Sequence, residues 1–143
     1  MITIGQVMNT QVAAIGADAT VAEAIEFLTQ HHIVGAPVVD DEGRLVGDLP
    51  ELALIDVVFD PDVKDAPVSK YMTVDVQSVG PDVPLSRAAK LFALYSFRRI
   101  PVVENGKLVG MLSPCDLMNY ALRTGHLLTD PLVELIPSLA PIS

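Results

Sequence analysis

The chain has 143 residues, half of them apolar, with no Trp, three Tyr and four Phe, and nine Lys plus Arg against eighteen Asp plus Glu give a formal net charge of −9. A chain of that length buries roughly two-thirds of its unfolded surface without disulfide or metal staples, and its aliphatic bias suits helices packed on β-branched strands. The charge repels a phosphate backbone and disfavours nucleic acid, and Cys115, the single cysteine, excludes an internal disulfide.

The start "MITIGQVMNT" lacks a basic region followed by an apolar core and a cleavage site, and no apolar run reaches membrane-spanning length. A soluble cytoplasmic protein with no membrane contact is therefore expected. Along the chain one pattern occurs twice. Met8 matches Met72, Gly16 matches Gly80, Asp18 matches Asp82 and Ala24 matches Ala88, each 64 residues on. "APVVDDEGRLVGDL" from Ala36 then matches "IPVVENGKLVGML" from Ile100, and past a shorter turn the offset falls to 63, with Gly43 over Gly106 and Gly47 over Gly110.

The first copy opens with a short extended segment, Gln11 to Ile15, ended by turn residues. A helix follows with Val21, Ala24, Ile25 and Leu28 on one face, Thr20 as its N-cap and Glu23 three residues on. "PVVDDEGRLVG" reads as a β-hairpin, and a second helix is expected from about Glu51 to Val58. The acidic stretch "DPDVKDAPVSK", residues 60–70, with two prolines, reads as a connector.

The second copy repeats the order: an extended segment Asp75 to Val79, then a helix with Leu85, Ala88, Ala89 and Phe92 on one face and Pro84 at its first position. Next comes a hairpin turning on Asn105-Gly106, and then a helix from Pro114 to Arg123. In "GMLSPCDLMNY" Ser113 is the N-cap, Pro114 takes the first helical position and Asp116 the third, a capping box with Asp in place of Glu or Gln. The tail "GHLLTDPLVELIPSLAPIS" is read as cover for the domain surface rather than a partner contact. The division is thus 1–59 for the first copy, 60–70 for the connector, 71–124 for the second copy and 125–143 for the tail.

A doubled unit with "PVV", a hairpin glycine, "LVG" and then Ser-x-x-Asp resembles a pair of CBS domains, named after cystathionine β-synthase and often called a Bateman module. The resemblance covers about residues 5 to 124. It implies an α+β fold, a duplicated β-α-β-β-α repeat packed as a pseudo-two-fold pair, with clefts between the repeats. In the family these clefts bind adenosine-containing ligands such as AMP, ADP, ATP or S-adenosylmethionine. The modules commonly pair into homodimers, and their role is regulatory rather than catalytic. The protein partner that receives the signal is left open.

Residue by residue, the family pattern places Ser113 against phosphate and Asp116 on the ribose hydroxyls, and the loop carrying Arg98 and Arg99 beside the phosphate, leading into Ile100 and Pro101. The stretch Thr73 to Ser78, including Val74 and Val76, resembles the segment whose backbone meets the adenine edge. A carboxylate can accept from two neighbouring hydroxyls, and a helix amino terminus offers free N–H groups to an anion.

The first copy departs from this pattern: Pro50 and Ala53 stand over Ser113 and Asp116, and Val34 and Gly35 over the arginine pair. One competent site is therefore expected, chiefly from the second copy. A ligand-independent dimerisation or docking module is the alternative. His31, His32 and His126 lack metal-ligand spacing, Cys115 is read as a small buried residue rather than a redox-sensitive thiol, and no nucleophile motif supports an enzyme.

Overall fold

The computed structural model describes residues 1–125, so the tail reading lies, beyond Gly125, outside the described residues. The fold is α+β, and its residues pack as two units that interleave along the chain. One comprises Ala13–Gln77 with Asn105–Leu108, and the other Met1–Val12, Ser78–Glu104 and the chain from Val109.

In the first of these, β1 (Ile15–Gly16) runs parallel to β2 (Gly35–Val39), which pairs antiparallel with β3 (Leu45–Pro50). The crossover is α1 (Val21–His31), whose reciprocal cap forms as expected: Glu23 N–H donates to Thr20 Oγ1 and Thr20 N–H to Glu23 Oε1, both at 3.1 Å. These bonds hold the Glu23 carboxyl below its ordinary value of 4.5, the backbone N–H of Thr20 being the larger cause. Val21, Ala24 and Leu28 face the sheet and, with Ile15, Val38 and Leu49, form the core.

The connector belongs to this unit. Carbonyls of Lys64 and Ala66 accept from the N–H groups of Ala22 and Val21 at 3.0 and 2.9 Å, satisfying donors that a helix start leaves open. A 3-10 turn, Val68–Lys70, then buries Val68 completely. The first hairpin tip is folded by Asp40, whose Oδ1 accepts from Glu42 and Arg44 N–H at 2.9 Å, with Gly43 at φ 81°. The second hairpin tip, Asn105-Gly106, has φ of 54° and 82°, as a two-residue type I′ turn requires. Leu45 N–H donates to Gly106 O at 3.1 Å and Leu108 N–H to Gly43 O at 3.0 Å.

The second helix of the first copy is shorter than its sequence suggests. α2 spans Leu52–Ile55, not Glu51 to Val58. Its N-cap, Glu51, makes no side-chain cap bond, and neither Pro50 nor Ala53 carries an oxygen that could supply one. An uncapped turn followed by the β-branched pair Val57 and Val58 and then Asp60-Pro61 has little to propagate it.

The other unit holds α3 (Leu85–Leu94), the hairpin β4 (Ile100–Glu104) and β5 (Lys107–Leu112), and α4 (Pro114–Thr124), which ends at Gly125 in the left-handed region. Pro84 precedes α3 as its N-cap rather than opening it. Among the described residues the extended segment before α3 forms only a parallel bridge, Val79 with Val102. The reason is chemical: where Ala17 N–H donates to Val39 O at 2.8 Å in the first copy, the matching residue is Pro81, which has no N–H.

Residues 2–9, at the start of the first copy, complete this core. Ile4, in a 3-10 turn (Ile4–Gln6), is fully buried with Leu85, Ala88, Leu112 and Leu117. Ile4 N–H donates to Val83 O at 2.9 Å, Gly5 N–H to Pro81 O at 2.8 Å, and Leu85 N–H to Ile2 O at 2.9 Å. The segment Ile2 to Asn9 is thus a strap, and the segment around Val68 occupies the same place in the other unit.

Candidate functional site

Ser113 follows directly on β5 with extended dihedrals of −123° and 162°, so its side chain turns back over the first turn of α4. Asp116 N–H donates to Ser113 Oγ at 3.3 Å, and Ser113 N–H donates to Asp116 Oδ2 at 2.8 Å. The shorter, charge-assisted bond is the one on the carboxylate. Both residues are half-buried, and Pro114 at the first position removes a donor that would otherwise need a partner.

This arrangement leaves specific atoms over. Among the described residues Asp116 Oδ1 takes no protein hydrogen bond, and the Ser113 hydroxyl retains its proton to donate. A carboxylate oxygen, a hydroxyl donor and the positive end of an 11-residue helix therefore meet at one place. Their chemistry suits a ligand that carries both hydroxyls and an anionic group. Cys115 lies beside them and is exposed, against the expectation of a buried residue, because the second helical position of α4 faces away from Leu117, Tyr120 and Ala121.

Arg98 and Arg99 close the loop from α3 to β4. As successive residues entering a strand they diverge: Arg98 is exposed, whereas Arg99 is half-buried. Ile100 is 1% exposed and Pro101 is buried, with Pro101 O accepting from Val79 N–H at 3.1 Å, so both serve the core and the strand bridge. Thr73, Val74 and Val76 belong to the unit of the first sheet. Thr73 has both backbone groups committed to Asp48, at 2.9 and 2.8 Å, while Val74, Val76 and Ser78 make no backbone hydrogen bond among the described residues. Val74 and Ser78 are exposed and Val76 half-buried.

Two neighbours of the capped turn carry no obvious chemistry in the sequence. Asn9 pairs with Met111 by two backbone bonds, both 2.9 Å, and the Met8 side chain lies flat on Gly110. The signal for them is the recurrence of Met8 as Met72 and of Gly110 as Gly47, since Met72 likewise lies on Gly47.

The model of the CBS domain matches the chain twice, over residues 4–60 and 68–123. The CBS domain-containing protein YhcV of Bacillus subtilis is 34% identical over 119 residues, covering 82% of this chain and 84% of that protein. An uncharacterised 17.7 kDa protein of Acidianus ambivalens is 33% identical over 115 residues, covering 80% of this chain and 70% of its own. Other curated relatives are longer, and this chain spans 41% of one and 14% of another. Among solved structures, the CBS-pair protein CBSX2 of Arabidopsis thaliana in complex with AMP superposes with a TM-score of 0.78 at 28% identity, over 87% of this chain and 99% of that one. Two matched repeats that together span most of the sequence, on a fold shared with solved CBS pairs, place the chain in the CBS domain family.

Proposed function

We propose that this chain is a regulatory module that binds an adenosyl ligand, AMP, ADP, ATP or S-adenosylmethionine, at the capped start of α4. The observation that carries the reading is the reciprocal Ser113–Asp116 cap with Asp116 Oδ1 and the Ser113 hydroxyl proton left over. Asp116 Oδ1 accepts from the ribose hydroxyls and the Ser113 hydroxyl donates to a phosphate or other polar group, while Arg98, the exposed member of its pair, supplies the countercharge. The AMP held by CBSX2, a relative in fold and sequence, supports the ligand class. Ser78, in the same unit as the cap and with open backbone groups, is the candidate for the adenine edge. The matching positions of the first copy, Pro50 and Ala53, offer no side-chain oxygen, so one site per chain is proposed.

Regulation acts by population shift, the ligand favouring whichever arrangement of a homodimer or partner complex holds it more tightly. A second reading, ligand-independent docking, is favoured by Leu52, Ile55 and Phe59, which are 76, 59 and 95% exposed on and just after α2. Thermal unfolding with increasing AMP, ATP or S-adenosylmethionine separates the two. A ligand at 100 times its Kd raises stability by about 2.7 kcal/mol, and Asp116→Ala abolishes the rise. No shift with any of the three compounds favours the docking module.

A further inference from the structure

We infer that the amino-terminal strap is a positioning element for the Ser113–Asp116 cap, with Met8 and Asn9 as its working residues. The inference rests on reading that cap as the ligand contact, and it adds how the cap is held. Among the described residues β5 has one strand partner, β4, on one edge. On its other edge, near its end, the strap takes over: Asn9 N–H donates to Met111 O and Met111 N–H to Asn9 O, both at 2.9 Å. Met111 stands two residues before Ser113.

One residue earlier, Gly110 leaves the space that Met8 fills: a Cβ there would meet Met8 Cγ at 2.9 Å and Cε at 3.1 Å, and would overlap its Sδ. The strap itself is anchored by the fully buried Ile4 and by its bonds to Val83, Pro81 and Leu85. Past the pairing, Asn9 Oδ1 accepts from Gln11 N–H at 3.0 Å and turns the chain away. The strap therefore fixes where β5 stops and the direction in which Ser113 leaves it, which sets the aim of both cap oxygens. A binding group displaced by a fraction of an ångström loses affinity without any contact being deleted.

The test uses the full chain, AMP as probe, and two readouts. Met8→Ala is expected to speed hydrogen exchange at the Ser113 amide, the donor to Asp116, and to weaken AMP in calorimetry, each by about tenfold, because an opened cap exchanges locally and binds loosely. Met8→Leu restores both to within about twofold of the parent chain, as a comparable volume refills the gap. Leu28→Ala, in the other core, lowers Tm yet leaves AMP affinity within about twofold, since Leu28 belongs to a cluster that includes neither the strap nor α4. Unchanged exchange at Ser113 in Met8→Ala, or equal loss of affinity in Leu28→Ala, overturns the inference.

If Met8→Ala does not fold, the parent chain still decides. Saturation with AMP should slow exchange of the Asn9 and Met111 amides by about tenfold or more if strap and site are coupled, and no change overturns the coupling. A parent chain that binds no AMP refutes the ligand reading, whereas normal exchange at Ser113 in Met8→Ala refutes the strap by itself.

Discussion

The same substitution made at matching positions of the two copies should have unequal cost. At Gly47 a Cβ would stand 2.6 Å from Met72 Sδ, 2.9 Å from Met72 Cγ and 2.9 Å from Thr73 O. At Gly110 the three nearest atoms all belong to Met8, a flexible side chain. Gly110→Ala can be relieved by a new Met8 rotamer, at about 1 kcal/mol for mild overpacking. Gly47→Ala cannot be relieved that way, because Thr73 O is backbone and accepts from Asp48 N–H at 2.9 Å, while Thr73 N–H donates back at 2.8 Å. Moving it adds the loss of one or both bonds, about 1 kcal/mol each, to an overpacking cost of about 1–3 kcal/mol, so about 2–5 kcal/mol in total. For a chain of this length roughly 4 °C of Tm per kcal/mol gives a fall of about 4 °C for Gly110→Ala and about 8–20 °C for Gly47→Ala. Calorimetric melts of the two variants and of Gly47→Ala/Met72→Ala measure this, and the double variant should recover only part of the loss. Equal falls, or a larger one for Gly110→Ala, refute the reasoning that backbone obstruction decides the cost.

Installing the missing cap should lengthen α2. Pro50→Ser with Ala53→Asp supplies both oxygens at the positions that Ser113 and Asp116 occupy in the other copy, and is expected to raise far-UV helical signal and stability by about 1 kcal/mol. No gain in ellipticity or in amide protection beyond Ile55 counts against the capping account. The α1 cap predicts a pH dependence. Because the Glu23 carboxyl is lowered by its bonds to Thr20, its contribution is present above its ordinary value of 4.5 and is lost as pH falls through the lower folded value. Glu23→Gln keeps an acceptor but no titrating charge, so the Tm difference between it and the parent chain should shrink as pH falls through that window; a constant difference contradicts the assignment.

The local elements were legible because local chemistry sets them. Thr20 with Glu23, Ser113 with Asp116, and Asn105-Gly106 are each complete within four residues, and each forms as the sequence implies. The capped pair was likewise legible as a candidate site, since its residue types and their doubled context were on the chain. The strap was not. Met8 and Gly110 stand about a hundred residues apart, and the repeat shows only that Met and Gly recur, not that the methionine at the start of one copy fills the gap in the other. The sequence overstates the length of α2, yet the cause of its shortness stands on the chain: Pro50 and Ala53, whose side chains carry no oxygen, occupy the two cap positions.

In the second copy one serine and one aspartate cap a helix of 11 residues and still have an oxygen and a proton to spare. In the first copy their replacement by proline and alanine leaves four helical residues. An anion is drawn to a helix start by unsatisfied N–H groups and by the summed peptide dipole, and a single turn supplies little of either. The absence of the two side chains therefore removes the cap, its carboxylate and hydroxyl, and most of the helix field together. A chain that regained only an aspartate at position 53 would still lack the geometry to use it, whereas regaining both residues would rebuild helix and binding groups in one step.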